Sequence, residues 1–218
     1  MSRYETLAKR MRPGDLIGFA TPSWISRGIR WVTRSDVSHV GVIFGRKGEV
    51  LRACEQDFEA KPVARPACPR VALLEALWHV TINPLDQRIE QYADAGGSAW
   101  WLRMSDDVRA RFDVLAASAW AGEQLWRRYG WLQAFFSAFR LPMPESHWLA
   151  HCSELACGYL EQGGAFGDWD VNCSHCTPGD LVKVQLWDDY HQLCGPDTKL
   201  RDFSTIPVAE WRRTVLTR

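Results

Sequence analysis

Two periods of apolar residues run through this chain, and their alternation lays out its elements. Short continuous apolar runs bounded by turn residues predict buried strands. One is Leu16-Ile17-Gly18-Phe19-Ala20 after the turn Pro13-Gly14-Asp15, a second is Ser38-His39-Val40-Gly41-Val42-Ile43-Phe44, and a third is Ala99-Trp100-Trp101-Leu102. Between the first two, Thr21-Pro22-Ser23 starts a helix in which Trp24, Ile25, Ile29 and Val32 recur at helical spacing, with Trp31 seven residues after Trp24. Arg46-Lys47-Gly48-Glu49 predicts a hairpin turn, returning the chain along residues 50–54 and delivering Glu55 at the strand's end. Residues 57–70 hold three prolines and read as a loop, and residues 71–82 are ambiguous between helix and strand.

Residues 84–93 carry Leu85, Ile89 and Tyr92 on a helical period. Ser105-Asp106-Asp107 caps a long helix reaching about Arg128, a second apolar helix follows over 131–139, and Pro142 and Pro144 break the pattern. A helix after Cys152 stacks Leu155 with Tyr159 and Ala156 with Leu160, and stops at Gly163-Gly164. Thr177-Pro178-Gly179-Asp180 is a turn before a strand near residues 182–187. Hairpins followed by helices predict one α+β domain over residues 1–218, an antiparallel sheet packed on helices.

A hydrophobic fraction of 46% supports a full core without staples. The 26 basic and 26 acidic residues cancel, leaving no electrostatic case for nucleic acid. Residues 1–15 are charged and lack an apolar signal core, and no apolar run approaches the ~18 residues of a membrane span. Seven cysteines, an odd number without a signal peptide, favour reduced thiols in the cytoplasm, some of them small buried hydrophobes. Twelve tryptophans predict an aromatic-rich core with some left to line a groove.

The chemistry concentrates at Cys152. In His151-Cys152-Ser153-Glu154-Leu155 a polar loop turns into an apolar helix, so a thiol sits at a helix start, where partial positive charge favours its ionised form. His39 sits on a strand and could supply an imidazolium. Strand parity puts His39, Gly41 and Ile43 on one face, and Gly41 leaves open space beside the imidazole, as a substrate or another backbone would require. Glu55, across the 46–49 hairpin, could orient the ring. The plainer reading of each stands beside this: a buried His or Cys is commonly a core residue, and a carboxylate at a strand end is commonly solvated.

Taken in order, Gly14-Asp15-Leu16-Ile17, Ser38-His39-Val40-Gly41-Val42-Ile43, a carboxylate after the next strand, Cys152-Ser153-Glu154-Leu155 and Thr177-Pro178-Gly179-Asp180-Leu181 form a series. It resembles the permuted papain-like branch of the NlpC-type cysteine hydrolase superfamily, in which the His strand precedes the Cys helix. The resemblance covers residues 12–185, leaving 186–218 as a C-terminal extension. It implies a papain-like fold in circularly permuted order, Cys152 as nucleophile, His39 as base, Glu55 as orienter and no cofactor. It also implies a peptide-like or acyl substrate, since relatives act on cell-wall peptides, other peptide or isopeptide links, and lipid acyl groups. Two departures stand out. Relatives commonly place the carboxylate in an apolar-Glu-Ala setting, whereas here it is Ala53-Cys54-Glu55-Gln56, leaving Gln56 and Asp57 as alternatives. Relatives commonly carry an aromatic before the nucleophile, where this chain has His151, either a substrate-binding residue or a solvent-facing one.

Other constellations compete. Cys173-Ser174-His175-Cys176 is a C-x-x-C with an internal His that Cys157, His191 or Cys194 could complete as a zinc site, although no second C-x-x-C exists. Trp100-Trp101 and the group Trp120, Trp126, Trp131 and Trp148 read first as core and second as an aromatic floor for substrate. Arg127-Arg128 reads as a solvated helix end. The expectation is a cysteine hydrolase acting on an amide bond through an acyl-enzyme. The alternatives are a lipid acyl hydrolase or acyltransferase, or a non-catalytic, zinc-stabilised binding module. A cell-wall target would require export by a phage or secretion system.

Overall fold

The computed structural model describes residues 3–46, 71–130, 149–169 and 171–216. Among them, six strands form one antiparallel sheet: β1 (Leu16–Ala20), β2 (His39–Arg46), β3 (Val71–Ala76), β4 (Val80–Pro84), β5 (Ser98–Met104) and β8 (Trp187–Cys194). Their order is β4-β3-β2-β1-β5-β8. The two apolar runs nearest the N-terminus are central because both of their faces are buried. Leu16 pairs with Val42 on one side and with Leu102 on the other.

Each face of the sheet collects its own apolar cluster, as the period of two requires. Leu16, Val40, Val42, Leu74, Trp100 and Leu102 belong to one cluster, with Leu155, Tyr159 and Leu160 of the helix α6 (Cys152–Gln162). Ile17, Phe19, Ile43, Leu73 and Trp101 belong to the other. That side is covered by Leu7 and Ala8 of α1 (Arg3–Ala8) and by Leu85 and Ile89 of α3 (Leu85–Asp94). Trp100 and Trp101 are therefore core residues on opposite faces. Trp120 packs half-buried against the core, whereas Trp131 and Trp148 lie outside the described residues. The fold is α+β, a six-stranded antiparallel sheet packed against helices.

Residues 47–49 of the hairpin turn, the return strand at 50–54 and the helix at 131–139 fall outside the described residues. Several other elements differ from the sequence reading. The strand beside β2 is β3, so the ambiguous stretch from residue 71 is strand, and it pairs Val42 with Leu74. The long helix from Ser105 is two helices, α4 (Asp106–Arg111) and α5 (Val114–Gln124). It breaks because Phe112 turns inward, and because the Asp113 carboxylate accepts from the N–H groups of Leu115 and Ala116 at 2.9 and 3.0 Å, capping a new start. Arg128 is in the short strand β6 (Arg128–Tyr129), not at a helix end. Thr177-Pro178-Gly179-Asp180 opens a helix, α7 (Pro178–Lys183), through a capping box between Thr177 and Asp180. Residues after 186 include β8, the edge strand beside β5, and Trp211 of α8 (Val208–Leu216), which is buried in the core.

The Pro13-Gly14-Asp15 turn carries more than a change of direction. Gly14 adopts φ +89°, where a side chain would be strained. Asp15, fully buried, accepts from Trp101 Nε1 at 2.9 Å, from the Met104 N–H at 3.0 Å and from the Arg12 N–H at 2.9 Å, and it pairs with Arg109. Burial raises its carboxyl against the opposing pull of Arg109. Asp15→Ala leaves the Arg109 guanidinium and the Trp101 indole without this acceptor. The expected cost is about 3 kcal/mol, a fall of roughly 6–12 °C in melting temperature. A calorimetric shift below a degree would show that the latch contributes nothing.

Candidate active site

The adjoining ends of β1, β2 and β3, inside the sheet, and the start of a helix bring the site together. His39 is the first residue of β2, opposite Phe19 near the end of β1. Glu75 is the penultimate residue of β3 and shares the face of Leu73 and His39, one step beyond the Val42↔Leu74 pair. Cys152 is the first residue of α6, which packs across β2 and β3.

His39 Nε2 lies 3.0 Å from Glu75 Oε2, leaving Nδ1 for the thiol. Glu75 is fully buried and is held from its other side. Asn83 Nδ2 donates to Oε1 at 3.0 Å, Arg88 Nε lies 2.6 Å from Oε1, and an Arg88 terminal nitrogen donates to Oε2 at 3.2 Å. Burial opposes ionisation of Glu75, but the hydrogen bond and charge of His39 together with Arg88 hold it below the usual carboxylate value. Phe19 stands 5.9 Å from the imidazole, centroid to centroid, and stacks on Tyr92 at 4.3 Å, walling the ring on the side away from solvent.

Hydrogen bonds converge on the Cys152 sulfur from the His39 ring, the Val40 backbone N–H and the Tyr129 hydroxyl. Burial works to raise this thiol, yet the His39 charge and these donors bring it below the ordinary thiol value. The reciprocal holds at His39. Burial disfavours its charge, but Tyr92, the Cys152 sulfur and Glu75 outweigh burial and hold the imidazolium well above its usual range. The two shifts run in opposite directions, both favouring the thiolate–imidazolium form of the pair. Tyr129 is pushed upward by burial and by the neighbouring sulfur, so its phenol keeps its proton.

The local backbone explains how Tyr129 gets there. Parallel pairing of β6 with β7 (Leu149–Ala150) sets Tyr129 beside Ala150, two residues before Cys152. On its other side, the Tyr129 N–H donates to the Trp78 carbonyl at 2.9 Å and the Val80 N–H to the Arg127 carbonyl at 2.9 Å. The segment therefore clips the β3–β4 hairpin, which carries Glu75, to the lead-in of the helix that carries Cys152.

The structure brings Cys152 and His39 together. Glu55, like Gln56 and Asp57, lies outside the described residues; the carboxylate that reaches His39 is Glu75. Its setting is Leu74-Glu75-Ala76, the apolar-Glu-Ala pattern that the surroundings of Glu55 lack. A single carboxylate inside the apolar run Val71–Ala76 was the available signal. Tyr129, Asn83 and Arg88 carried none, because only tertiary contacts place them.

Two expected substrate-binding residues are corrected. A Cβ on Gly41 would lie 2.9 Å from the Leu74 carbonyl oxygen and 3.0 Å from Leu73 Cδ1, so neighbouring chain fills the space beside it and no substrate does. His151 is buried, not solvent-facing, and is the N-cap of α6. Its Nδ1 accepts from the Glu154 N–H at 3.2 Å, and its Nε2 donates to the Ser174 carbonyl at 3.2 Å. Burial lowers this imidazole to about 4, so it stays neutral as a helix cap.

The C-x-x-C is taken apart. Cys173 is disulfide-bonded to Cys157 of α6, which also corrects the expectation that all the cysteines are reduced thiols. Cys176 is a buried free thiol, raised well above the ordinary value by burial and by Asp180 and Cys152. His175 is left without Cys173 as a fellow ligand. Among the described residues, no three His, Cys, Asp or Glu side chains are grouped to hold a metal ion.

No family model matches this chain, and no curated protein does. Among solved structures, the metalloprotein yiiX from Escherichia coli O157:H7 superposes with a TM-score of 0.46 at 18% identity. The match covers 70% of this chain and 66% of that one, so the chain spans under two thirds of its length. A likeness at this level assigns neither fold nor chemistry.

Proposed function

We propose that this protein is a cysteine hydrolase with a papain-like arrangement in permuted order, using Cys152, His39 and Glu75 on an amide bond. One observation carries the reading: a buried thiol at a helix start accepts from an imidazole whose far nitrogen is 3.0 Å from a fully buried carboxylate.

The Cys152 thiolate adds to the carbonyl carbon, and the π electrons move onto oxygen. The Tyr129 hydroxyl and the Cys152 backbone N–H, at the first turn of α6 where N–H groups lack helical partners, donate to that oxyanion. Collapse expels the amine, which leaves with the proton of the His39 imidazolium. Neutral His39 then takes a proton from water as it attacks the thioester. The second collapse releases the carboxylic acid and restores the thiolate. Glu75 remains ionised throughout and fixes the ring so that Nδ1 faces sulfur.

The test is a panel of peptide, muropeptide and acyl-ester substrates, with Cys152→Ala as control. Turnover of an amide substrate that the variant lacks supports the reading. Turnover confined to acyl esters would move the chain to lipid acyl hydrolysis, and turnover that survives Cys152→Ala would exclude the nucleophile. Tyr129→Phe is expected to lower kcat by roughly 100-fold with little change in KM, since an oxyanion donor acts in the transition state. Equal loss in KM alone would make Tyr129 a substrate-binding residue instead.

A further inference from the structure

The helix between β1 and β2 is inside out. In α2 (Trp24–Thr33), Ser26 and Thr33 are buried, while Trp24 is 82% and Trp31 79% exposed. Seven residues separate the members of each pair, so each pair lines one side of the helix. Ser26 Oγ is 2.6 Å from Ser38 Oγ, and Thr33 Oγ1 donates back to the Ile29 carbonyl at 2.8 Å. The side facing the protein thus carries a buried polar strip beside the half-buried Ile29 and Val32, and the side facing solvent is aromatic. Folding gains little from two tryptophans left in water.

Charge runs along the same outer surface. Arg27 and Arg34, also seven apart, flank the tryptophans and are exposed. No Asp or Glu occurs from Trp24 to Ser35. At the helix end, a groove of about 710 Å³ is lined by Arg30, Trp31, Arg34, Asp36 and Arg201. Asp36 is 3.3 Å from an Arg201 terminal nitrogen, so one carboxylate faces three guanidiniums.

We propose that α2 docks this protein on an anionic lipid surface, with Trp24, Ile25 and Trp31 seated at the headgroup level and Arg27, Arg30 and Arg34 on lipid phosphates. Tryptophan is favoured at such boundaries because its ring is apolar with one polar edge, and arginine binds phosphate with a planar fork. A helix with aromatic residues on one strip and cations beside it lies in the interface plane. Among the described residues no helix is long and apolar enough to cross a membrane. The Ser26–Ser38 bond ties the inner side of α2 to the residue before His39. The docking itself does not depend on the hydrolase reading.

Co-sedimentation of the full chain with phosphatidylcholine vesicles, with and without phosphatidylglycerol, tests it. Retention by anionic vesicles at least tenfold above neutral ones, falling with added salt, is the expected result. Trp24→Ala with Trp31→Ala should lower retention at least tenfold. Arg27→Gln with Arg34→Asn, the latter chosen because Asn tolerates the left-handed backbone at that cap, should lower it by roughly 30-fold. Cys152→Ala should sediment like the parent chain, which separates this result from any failure of the hydrolase reading. Equal retention on both vesicles, or variants that bind as the parent does, would overturn the proposal. So would self-association in solution that the tryptophan variants abolish without any vesicle binding, which would give the face to a second copy.

Discussion

At neutral pH, iodoacetamide modifies Cys152 on the order of 100-fold faster than Cys176 or Cys194, read by peptide mass spectrometry over time. An ordinary thiol near 8.5 is only a few per cent ionised at pH 7, whereas the Cys152 sulfur is held below that range by His39, Val40 and Tyr129. The other two free thiols of the described residues move the opposite way. Burial raises both, and the nearby Asp180 and Cys152 add to the effect at Cys176. The lower intrinsic nucleophilicity of an acidic thiol takes back part of the gain, and its burial slows access, so a small reagent is the right probe. The rate of labelling rises with pH through the lowered thiol value and then levels. His39→Ala removes the charge that holds it there and returns the rise toward the ordinary thiol range. The same sulfur gives the largest loss of turnover: Cys152→Ala lowers kcat/KM on an amide substrate by on the order of 10⁴-fold or more. Slow, equal labelling of all free cysteines would leave no thiolate to act.

Glu75→Gln is expected to lower kcat/KM by on the order of 10³-fold, whereas Glu55→Gln leaves it within about twofold. The Glu75 carboxylate accepts from three side chains, His39, Asn83 and Arg88. An amide there turns one NH2 toward those donors and withdraws the charge that favours the imidazolium. The sign follows from the two shifts. The ion pair exists above the lowered thiol value and below the raised imidazolium value, so activity against pH is a bell between them. Losing Glu75 moves the alkaline limb down, because the imidazolium is less favoured. It moves the acid limb up, because a less charged ring supports the thiolate less. The bell narrows from both sides. A folded-state carboxyl held below its unfolded value also contributes stability above the unfolded value, lost as pH falls through the folded one. The variant should therefore lose part of the parent's pH dependence of melting on the acid side. Equal losses from the two glutamate variants, with an unchanged profile, would remove Glu75 from the site.

The contrast between these two glutamates shows where sequence reasoning stops. Local pattern sufficed for what local physics controls. The apolar run of β1, the alternation that splits Val40 and Val42 from Ile43, the Ser23 cap of α2 and the thiol at the start of α6 all follow from period, propensity and capping within a few residues. It also sufficed to pick Cys152 and His39 as partners. The carboxylate that reaches His39 depended on which strand lies beside β2. A hairpin turn at 46–49 favours the nearest carboxylate, but strand pairing over a longer connection brings Glu75 instead. Tyr129 depended on a two-residue parallel pairing, a signal too short for any periodicity. The fate of Cys173, bonded to Cys157 on a different element, depended on distance in space and not on the spacing of a C-x-x-C. His151 was legible as a neighbour of Cys152 but not as a cap, because burial decides whether an imidazole faces water or serves backbone. By itself the sequence determined the apolar strands β1, β2 and β5, the starts of α2 and α6, and the choice of Cys152 with His39, each set by neighbours along the chain. Only the tertiary structure decided which distant side chains complete that pair, because register, burial and close packing act between residues that the chain keeps far apart.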